Sequence, residues 1–407
     1  MKRRDDDLMI IDMYDTRDLN DEQKLIIESV RRVCSKYNED YWKKINQLKT
    51  FPEDFIRELE ELGLLGLPIP KEYGGPSLGL REATLVLEEI NANGGTSQHL
   101  HGQYYLLFVL SKFGNEKIKE EYLPRLAEGK LRLQTLALTE PEVGSDIVKI
   151  KTVATKQSNK YIITGHKIFI SRVLQTDLML VVARTKQLKE VRRKTDGLSL
   201  FIVDVKKAVK DGTLKVNKIN TVINSETYEL FLDGLTVPEE HLVGNENEGF
   251  RHLLEVLNPE RILVSAECIG DARWFLSKSV DYAKIRVTFD RPIGSNQGIQ
   301  FPLAIVYAKI LAASNIMWQA AKVYDSTNEK NTNIIGKYAN IAKFIASDCS
   351  TEAANIAMDT FGAYGMTEDA GIVRKLMENR LYRIAPISQN LVLSYIAHNI
   401  LGLPRSF

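Results

Sequence analysis

Cysteine is scarce in this chain. Its three residues, Cys34, Cys268 and Cys349, are far apart, odd in number and include no Cys-x-x-Cys pair. That excludes a disulfide framework and points to reduced thiols in a cytosol. An excess of charge of one sign is missing too: 54 basic and 53 acidic residues nearly cancel, so no strong field favours nucleic acid or a membrane surface. Residues 1–7 are charged and lack the apolar stretch of a signal peptide, and no apolar run of spanning length is expected. No Gly-x-Gly-x-x-Gly follows a strand, which leaves a nicotinamide site unsupported. His99 and His101 have no carboxylate or cysteine cluster beside them, so satisfied or solvent-facing histidines are expected rather than a metal site. The expectation is a soluble, cytoplasmic protein.

What is present is ordinary in amount and informative in order. The 407 residues allow two or three domains and a large core, and 44% hydrophobic with 26% charged residues suits a globular protein. Residues 20–134 read as helix, with amphipathic segments at 21–37, 54–64, 80–93 and 116–128 around a Pro/Gly-rich loop at 68–76. From residue 131 the period changes to short strands at 131–138, 159–171, 178–183, 198–204 and 228–232, the pattern of a β-barrel or sandwich. The basic loop at 186–194 reads as solvated surface. Helical periodicity returns after Gly244, with long segments at 248–272, 272–284, 297–324, 332–361 and 387–401. The domain boundaries that follow are 1–133, 134–243 and 244–407.

Two polar segments of the β region carry the most information. Residues 138–146 read Leu-Thr-Glu-Pro-Glu-Val-Gly-Ser-Asp, and residues 164–171 read Thr-Gly-His-Lys-Ile-Phe-Ile-Ser. Such segments can offer hydroxyls and backbone N–H groups to a flat cofactor with polar edges. They resemble the paired flavin-contacting segments of the acyl-CoA dehydrogenase family, and the order helices, strands, helices extends the resemblance over nearly the whole chain. The resemblance implies an α+β, mostly α fold: an N-terminal helical domain, a middle β-barrel or sandwich domain and a C-terminal four-helix bundle. It also implies FAD. Leu136, Leu138, Thr139, Gly144 and Ser145 then lie along the flavin ring, with Ser145 touching the acyl thioester as well. Phe169, Ile170 and Ser171 supply an aromatic wall and a second hydroxyl, and Arg172 stands where Asn is common. Hydrogen bonds to the pyrimidine edge favour negative charge on reduced flavin.

Two later segments resemble the family's second half of the cofactor site, shared across a subunit boundary. Arg286, Thr288, Phe289 and Gln297 match the Arg-x-x-Phe segment and its Gln. Asp359, Gly362 and Ala363 match a Gln-x-x-Gly-Gly turn, in which small residues let backbone approach phosphate. Asp290, Asp359 and Ala363 depart from that pattern, and an acid near phosphate is unfavourable unless it points away. On this reading an isolated monomer loses FAD, and a homo-oligomer, dimer or tetramer, is expected.

The expected reaction removes the α-proton of an acyl thioester with a carboxylate while the β-hydride passes to flavin N5. Most of the family holds this Glu near the C-terminus, yet Pro386 stands there and residues 381–407 contain no carboxylate. The segment Leu257-Asn258-Pro259-Glu260-Arg261-Ile262 resembles the Leu-x-x-Glu-Arg of the isovaleryl-CoA and long-chain branches. It makes Glu260 the base, with Asn258 and Arg261 toward the substrate and Pro259 at an early helical position. A desolvated Glu has a raised pKa suited to proton abstraction. A solvated Glu260–Arg261 pair is the plainer alternative.

Pro386 also lacks the N–H that holds the thioester oxygen elsewhere in the family, so either Ala385 or Ile387 donates or the substrate binds differently. Ser388 resembles the hydroxyl that reaches the flavin. Three functions follow. The first is an FAD-dependent acyl-CoA dehydrogenase making a trans-2-enoyl-CoA, within fatty acid β-oxidation, and passing electrons to an electron-transfer flavoprotein. The second is a flavin monooxygenase or nitroalkane-type oxidase on the same fold. The third is a non-catalytic flavin-binding protein.

Overall fold

The computed structural model describes residues 11–326 and 332–405. The chain divides into two compact units. One comprises Lys49–Gly79 and Gln98–Leu257; the other comprises the chain up to Leu48, Leu80–Ser97 and the chain from Asn258.

The first unit is built on an eight-stranded sheet. Its strands are β1 (Leu133–Ala137), β2 (Val153–Gln157), β3 (Lys160–Ser171), β4 (Leu178–Arg184), β5 (Leu198–Asp204), β6 (Leu214–Lys218), β7 (Thr227–Pro238) and β8 (Leu242–Val243). The order is β6-β7-β3-β2-β4-β5-β8, with β1 paired parallel to β4. Five of these strands were legible from alternation. β2, β6 and β8 were not, because Val153–Gln157 is largely exposed, Leu214–Lys218 carries two lysines and Leu242–Val243 is only two residues long. Tyr161, Ile163, Ile170, Val181, Phe201, Leu230 and their neighbours close a core between the strands. Around the sheet lie α3 (Glu53–Glu61), α5 (Gln98–Phe113), α6 (Glu116–Ala127) and the short α7 (Val205–Lys210). α5 packs on β1.

The second unit is helical. α1 (Asp21–Cys34) opens with a capping box in which Asn20 and Gln23 bond reciprocally. It packs on α4 (Leu80–Ala92), α4 on α9 (Gln297–Ser326), and α9 on α10 (Thr332–Phe361). α2 (Glu39–Leu48), α11 (Ile372–Leu381), α12 (Gln389–Tyr395) and the two-residue strands β9 (Val287–Thr288) and β10 (Arg291–Pro292) complete it. A π-helical turn over Ile396–Ile400 replaces the last part of the expected helix.

Two expectations are corrected. The separate helices at 248–272 and 272–284 are one helix, α8 (Gly249–Ile285), and Pro259 lies well inside it rather than near its start. Proline there removes one helical hydrogen bond and crowds the carbonyl four residues back. The helix continues because Leu253, Val256, Ile262 and Leu263 are all fully buried on either side. Second, α9 is long and apolar enough to cross a membrane. Isolated polar residues such as Lys309 and Asn315 hid that length in the sequence. One stripe of α9, with Val306, Ile310, Ala313 and Met317, is buried, while Phe301 and Ile305 on another face are more than half exposed.

Candidate active site

In the sheet unit, the two polar segments meet. β3 pairs with β7 along its length, but the register shifts between Lys167 and Ile170, and Phe169 takes a left-handed φ of 57°. A bulge of this kind bends the strand and re-aims a side chain, and Phe169 is accordingly 63% exposed. The Ile168 N–H donates to the Thr139 carbonyl at 3.0 Å. Thr135 Oγ1 donates to the Ser171 carbonyl at 2.9 Å, and Ser171 Oγ accepts from Asn224 at 3.0 Å. Leu136, Leu138 and Thr139 are partly buried, while Gly144 and Ser145 are exposed and a Cβ at Gly144 would meet nothing. Ile170 belongs to the sheet core, so only its backbone is available to a ligand.

Behind these segments lies a pair that spacing did not reveal. Lys167 is fully buried; its Nζ donates to the Leu138 carbonyl at 2.9 Å and to Glu140 Oε1 at 3.0 Å. Glu140 also accepts from the Lys151 N–H at 2.7 Å, the Thr152 N–H at 2.9 Å and Thr152 Oγ1 at 2.6 Å. Burial draws the Lys167 pKa down to about 8 against the opposing pull of Glu140. Burial pushes the Glu140 carboxyl up, but Lys167 and the hydrogen bonds outweigh it and hold the pKa below the ordinary value. Both groups are therefore ionised at neutral pH. His99, expected to be satisfied or solvent-facing, is buried against Phe51 at 4.6 Å, with no hydrogen-bond partner for Nδ1 among the described residues. Burial first, then Arg172 and Arg132, keeps it neutral.

In the helical unit, α8 carries Glu260 and Arg261, each only 8% exposed, which rules out a solvated pair. Arg261 Nη1 donates to Asn258 Oδ1 at 2.9 Å, one helical turn back. Burial lowers the pKa of Arg261 while Glu260 raises it. Gly336 on α10 leaves room for the Tyr395 hydroxyl, which lies 2.7 Å from where a Cβ would stand.

The segment around Pro386 is tied to α10. Lys343 Nζ, fully buried, donates to the Ile387 carbonyl at 2.8 Å, and Gln389 Nε2 donates to Ser347 Oγ at 3.0 Å. The Ala385 N–H is already donated to the Leu381 carbonyl at 2.9 Å. The Ile387 N–H makes no backbone hydrogen bond among the described residues. Ser388 Oγ caps α12 by accepting from the Leu391 N–H at 3.4 Å, which leaves its own proton to donate.

Arg286, Thr288, Asp359, Gly362 and Ala363 line one open cleft of about 650 Å³. Phe289, 91% exposed, and Gln297 are outside its wall. Sequence spacing missed the aromatic stack beside it: Tyr282 lies 4.2 Å from Phe361 with 14° between the rings, and Tyr364 continues the stack at 6.0 Å. Tyr282 precedes Arg286 by one helical turn, a spacing that could have pointed to it. An exposed guanidinium, a hydroxyl, glycine backbone and flat aromatic surface suit the pyrophosphate and adenosine of FAD. Asp359 on the same wall is the one ill-fitting group.

Comparison with known proteins covers most of the chain. Residues 20–130 match the family model described as acyl-CoA dehydrogenase, N-terminal domain, residues 135–234 the middle domain and residues 247–401 the C-terminal domain. An acyl-CoA dehydrogenase of Mycobacterium bovis is 33% identical over 95% of this chain and 98% of its own length. The mitochondrial isovaleryl-CoA dehydrogenase of Pongo abelii is 30% identical over 90% of this chain and 85% of its own. Among solved structures, the butyryl-CoA dehydrogenase from Megasphaera elsdenii superposes with a TM-score of 0.86 at 28% identity, covering 94% of this chain and 99% of that one.

Proposed function

The chain belongs to the acyl-CoA dehydrogenase family, an oxidoreductase family that uses FAD, and from that premise we propose that it desaturates an acyl-CoA thioester to the trans-2-enoyl-CoA with Glu260 as the base. The observation that carries this reading is Glu260 itself. It is a buried carboxylate beside Arg261 in a chain with no acid in residues 381–407. In this reading Glu260 takes the α-proton, and Arg261 with Asn258 orients polar groups of the substrate. Thr139, Ser145, Phe169 and Ser171 bound the flavin ring, while Arg286, Thr288, Gly362 and Ala363 meet its phosphates. FAD supplies the two-electron acceptor. Ser388 donates its hydroxyl proton toward the flavin, and the Ile387 N–H is the backbone donor left for the thioester oxygen.

The finer assignments belong to the same proposal. Electrons pass on to an electron-transfer flavoprotein or equivalent acceptor, and the setting is cytoplasmic fatty acid β-oxidation. Functional boundaries fall near residues 133 and 243. A homo-oligomer covers the exposed apolar face of α9.

The test is anaerobic bleaching of the bound flavin by a panel of acyl-CoAs, on wild type and Glu260→Gln. Wild type bleaches, and the variant, with FAD retained, bleaches about 10²–10⁴-fold more slowly. Unchanged bleaching in the variant removes Glu260 as the base. A second reading, a flavin monooxygenase or nitroalkane-type oxidase, draws support from Pro386 and the spent Ala385 N–H. Oxygen-dependent turnover of a non-CoA substrate, without bleaching by any acyl-CoA, would establish it instead.

A further inference from the structure

We propose that Lys167 is a positioning residue that polarises the Leu138–Thr139 peptide and so strengthens the hold of the site on negative charge in the flavin ring. The inference rests on the placement of that ring at Thr139. A lysine with no exposed side-chain surface is costly to keep charged, yet Lys167 has two fixed acceptors, the Leu138 carbonyl at 2.9 Å and Glu140 Oε1 at 3.0 Å. Glu140 is itself pinned by Lys151 and Thr152, so the cation cannot drift toward solvent with its partner.

The Leu138 carbonyl and the Thr139 N–H belong to one planar peptide and point in opposite directions. A charge-assisted bond to the carbonyl makes the N–H at the other end a stronger donor. That N–H makes no backbone hydrogen bond among the described residues, while the Thr139 carbonyl is occupied by the Ile168 N–H. The peptide is thus held from behind by a cation, the next peptide is tied to β3 through the Thr139 carbonyl, and the Thr139 N–H is left for a ligand. A flavin that takes up two electrons gains negative charge on its pyrimidine side, and a stronger donor there favours the reduced form.

The experiment measures the reduction equilibrium of bound FAD against a reference dye in wild type, Lys167→Met, Glu140→Gln and Thr139→Val. Lys167→Met is expected to shift the equilibrium at least tenfold toward oxidised flavin, about 30 mV for a two-electron couple. Glu140→Gln removes the carboxylate that opposes the fall in the Lys167 pKa. Near neutral pH it therefore shifts the equilibrium toward oxidised flavin as well, and the shift relative to wild type shrinks as the pH is lowered and the lysine regains its proton. A merely structural pair would give a Glu140→Gln shift, relative to wild type, that does not change with pH. Where the single variants lose FAD or unfold, Lys167→Met/Glu140→Gln leaves no unpaired buried charge, and it should still sit on the oxidised side of wild type. If Thr139→Val shifts the equilibrium but the Glu140→Gln shift is independent of pH, or the double variant matches wild type, polarisation by Lys167 is overturned and the ring stays at Thr139. If Thr139→Val leaves it unchanged, the placement of the ring fails and this inference fails with it.

Discussion

Arg261 and Lys343 act on their surroundings through side-chain hydrogen bonds, and each yields a prediction at the scale of one residue. Arg261 holds Asn258 at 2.9 Å from inside the protein. A hydrogen bond from a charged group contributes about 1.5–3 kcal/mol, so Arg261→Ala should raise the KM for acyl-CoA about tenfold or more, with kcat less affected; steady-state kinetics on the FAD-loaded protein checks this. Lys343 anchors the Ile387 carbonyl at 2.8 Å, and burial lowers its pKa to about 8. Lys343→Met leaves that carbonyl without its donor and should cost about 1–3 kcal/mol in urea unfolding, with faster proteolysis near residues 383–389. Glu260 and Arg261 were legible as candidates because their motif is contiguous. Lys167 and Lys343 were not, because a lysine in sequence looks the same whether it faces water or a buried carbonyl.

Among the elements, α8, α5 and α9 each carry a consequence. Pro259 inside α8 forfeits a helical bond, and proline in a helix interior costs up to about 3 kcal/mol relative to alanine. Pro259→Ala should therefore raise the denaturation midpoint in urea, and a fall would show that packing around the proline outweighs the lost bond. Gly102 lets α5 lie close to β1: a Cβ there would stand 2.7 Å from Arg172 Nη2 and 2.8 Å from the Gln134 carbonyl. Gly102→Ala should destabilise by about 1–3 kcal/mol, read as a lower midpoint in the same assay. On α9, Phe301 and Ile305 are exposed by 55% and 52%, an apolar face that a second copy would cover. Ile305→Asp should lower the mass seen in light scattering and, on the shared-site reading, release FAD.

The helical unit as a whole depends on a buried charge network. Arg273 on α8 donates to Glu88 and to Glu89 on α4, each at 2.8 Å, and Arg31 on α1 donates to Glu89 at 2.6 Å. Burial pushes the Glu89 carboxyl up, but Arg273 and then Arg31 outweigh it and hold the pKa at about 2. A depressed carboxyl pKa contributes stability that is complete above the ordinary value of 4.5 and is lost as pH falls through about 2. Glu89→Gln should flatten the acid limb of the stability curve over that window. At neutral pH it should cost about 3–5 kcal/mol, because two arginines keep their charge without this partner. Urea titrations at stepped pH check both effects.

The sequence by itself determined the order of helices, strands and helices, the two polar segments at 138–146 and 164–171, Glu260 as a candidate base and the break at Pro386. These are local: periodicity, contiguous motifs and the absence of a residue type are all written along the chain. The tertiary structure decided the rest. It ran α8 straight through Pro259, since burial on both sides outweighs one lost hydrogen bond. It turned Ile170 into the core and Phe169 outward at a bulge, since a register shift depends on the partner strand. It brought Arg286 to Gly362 in one cleft and set Lys167 behind Leu138, since residues distant in sequence meet only when the chain is folded.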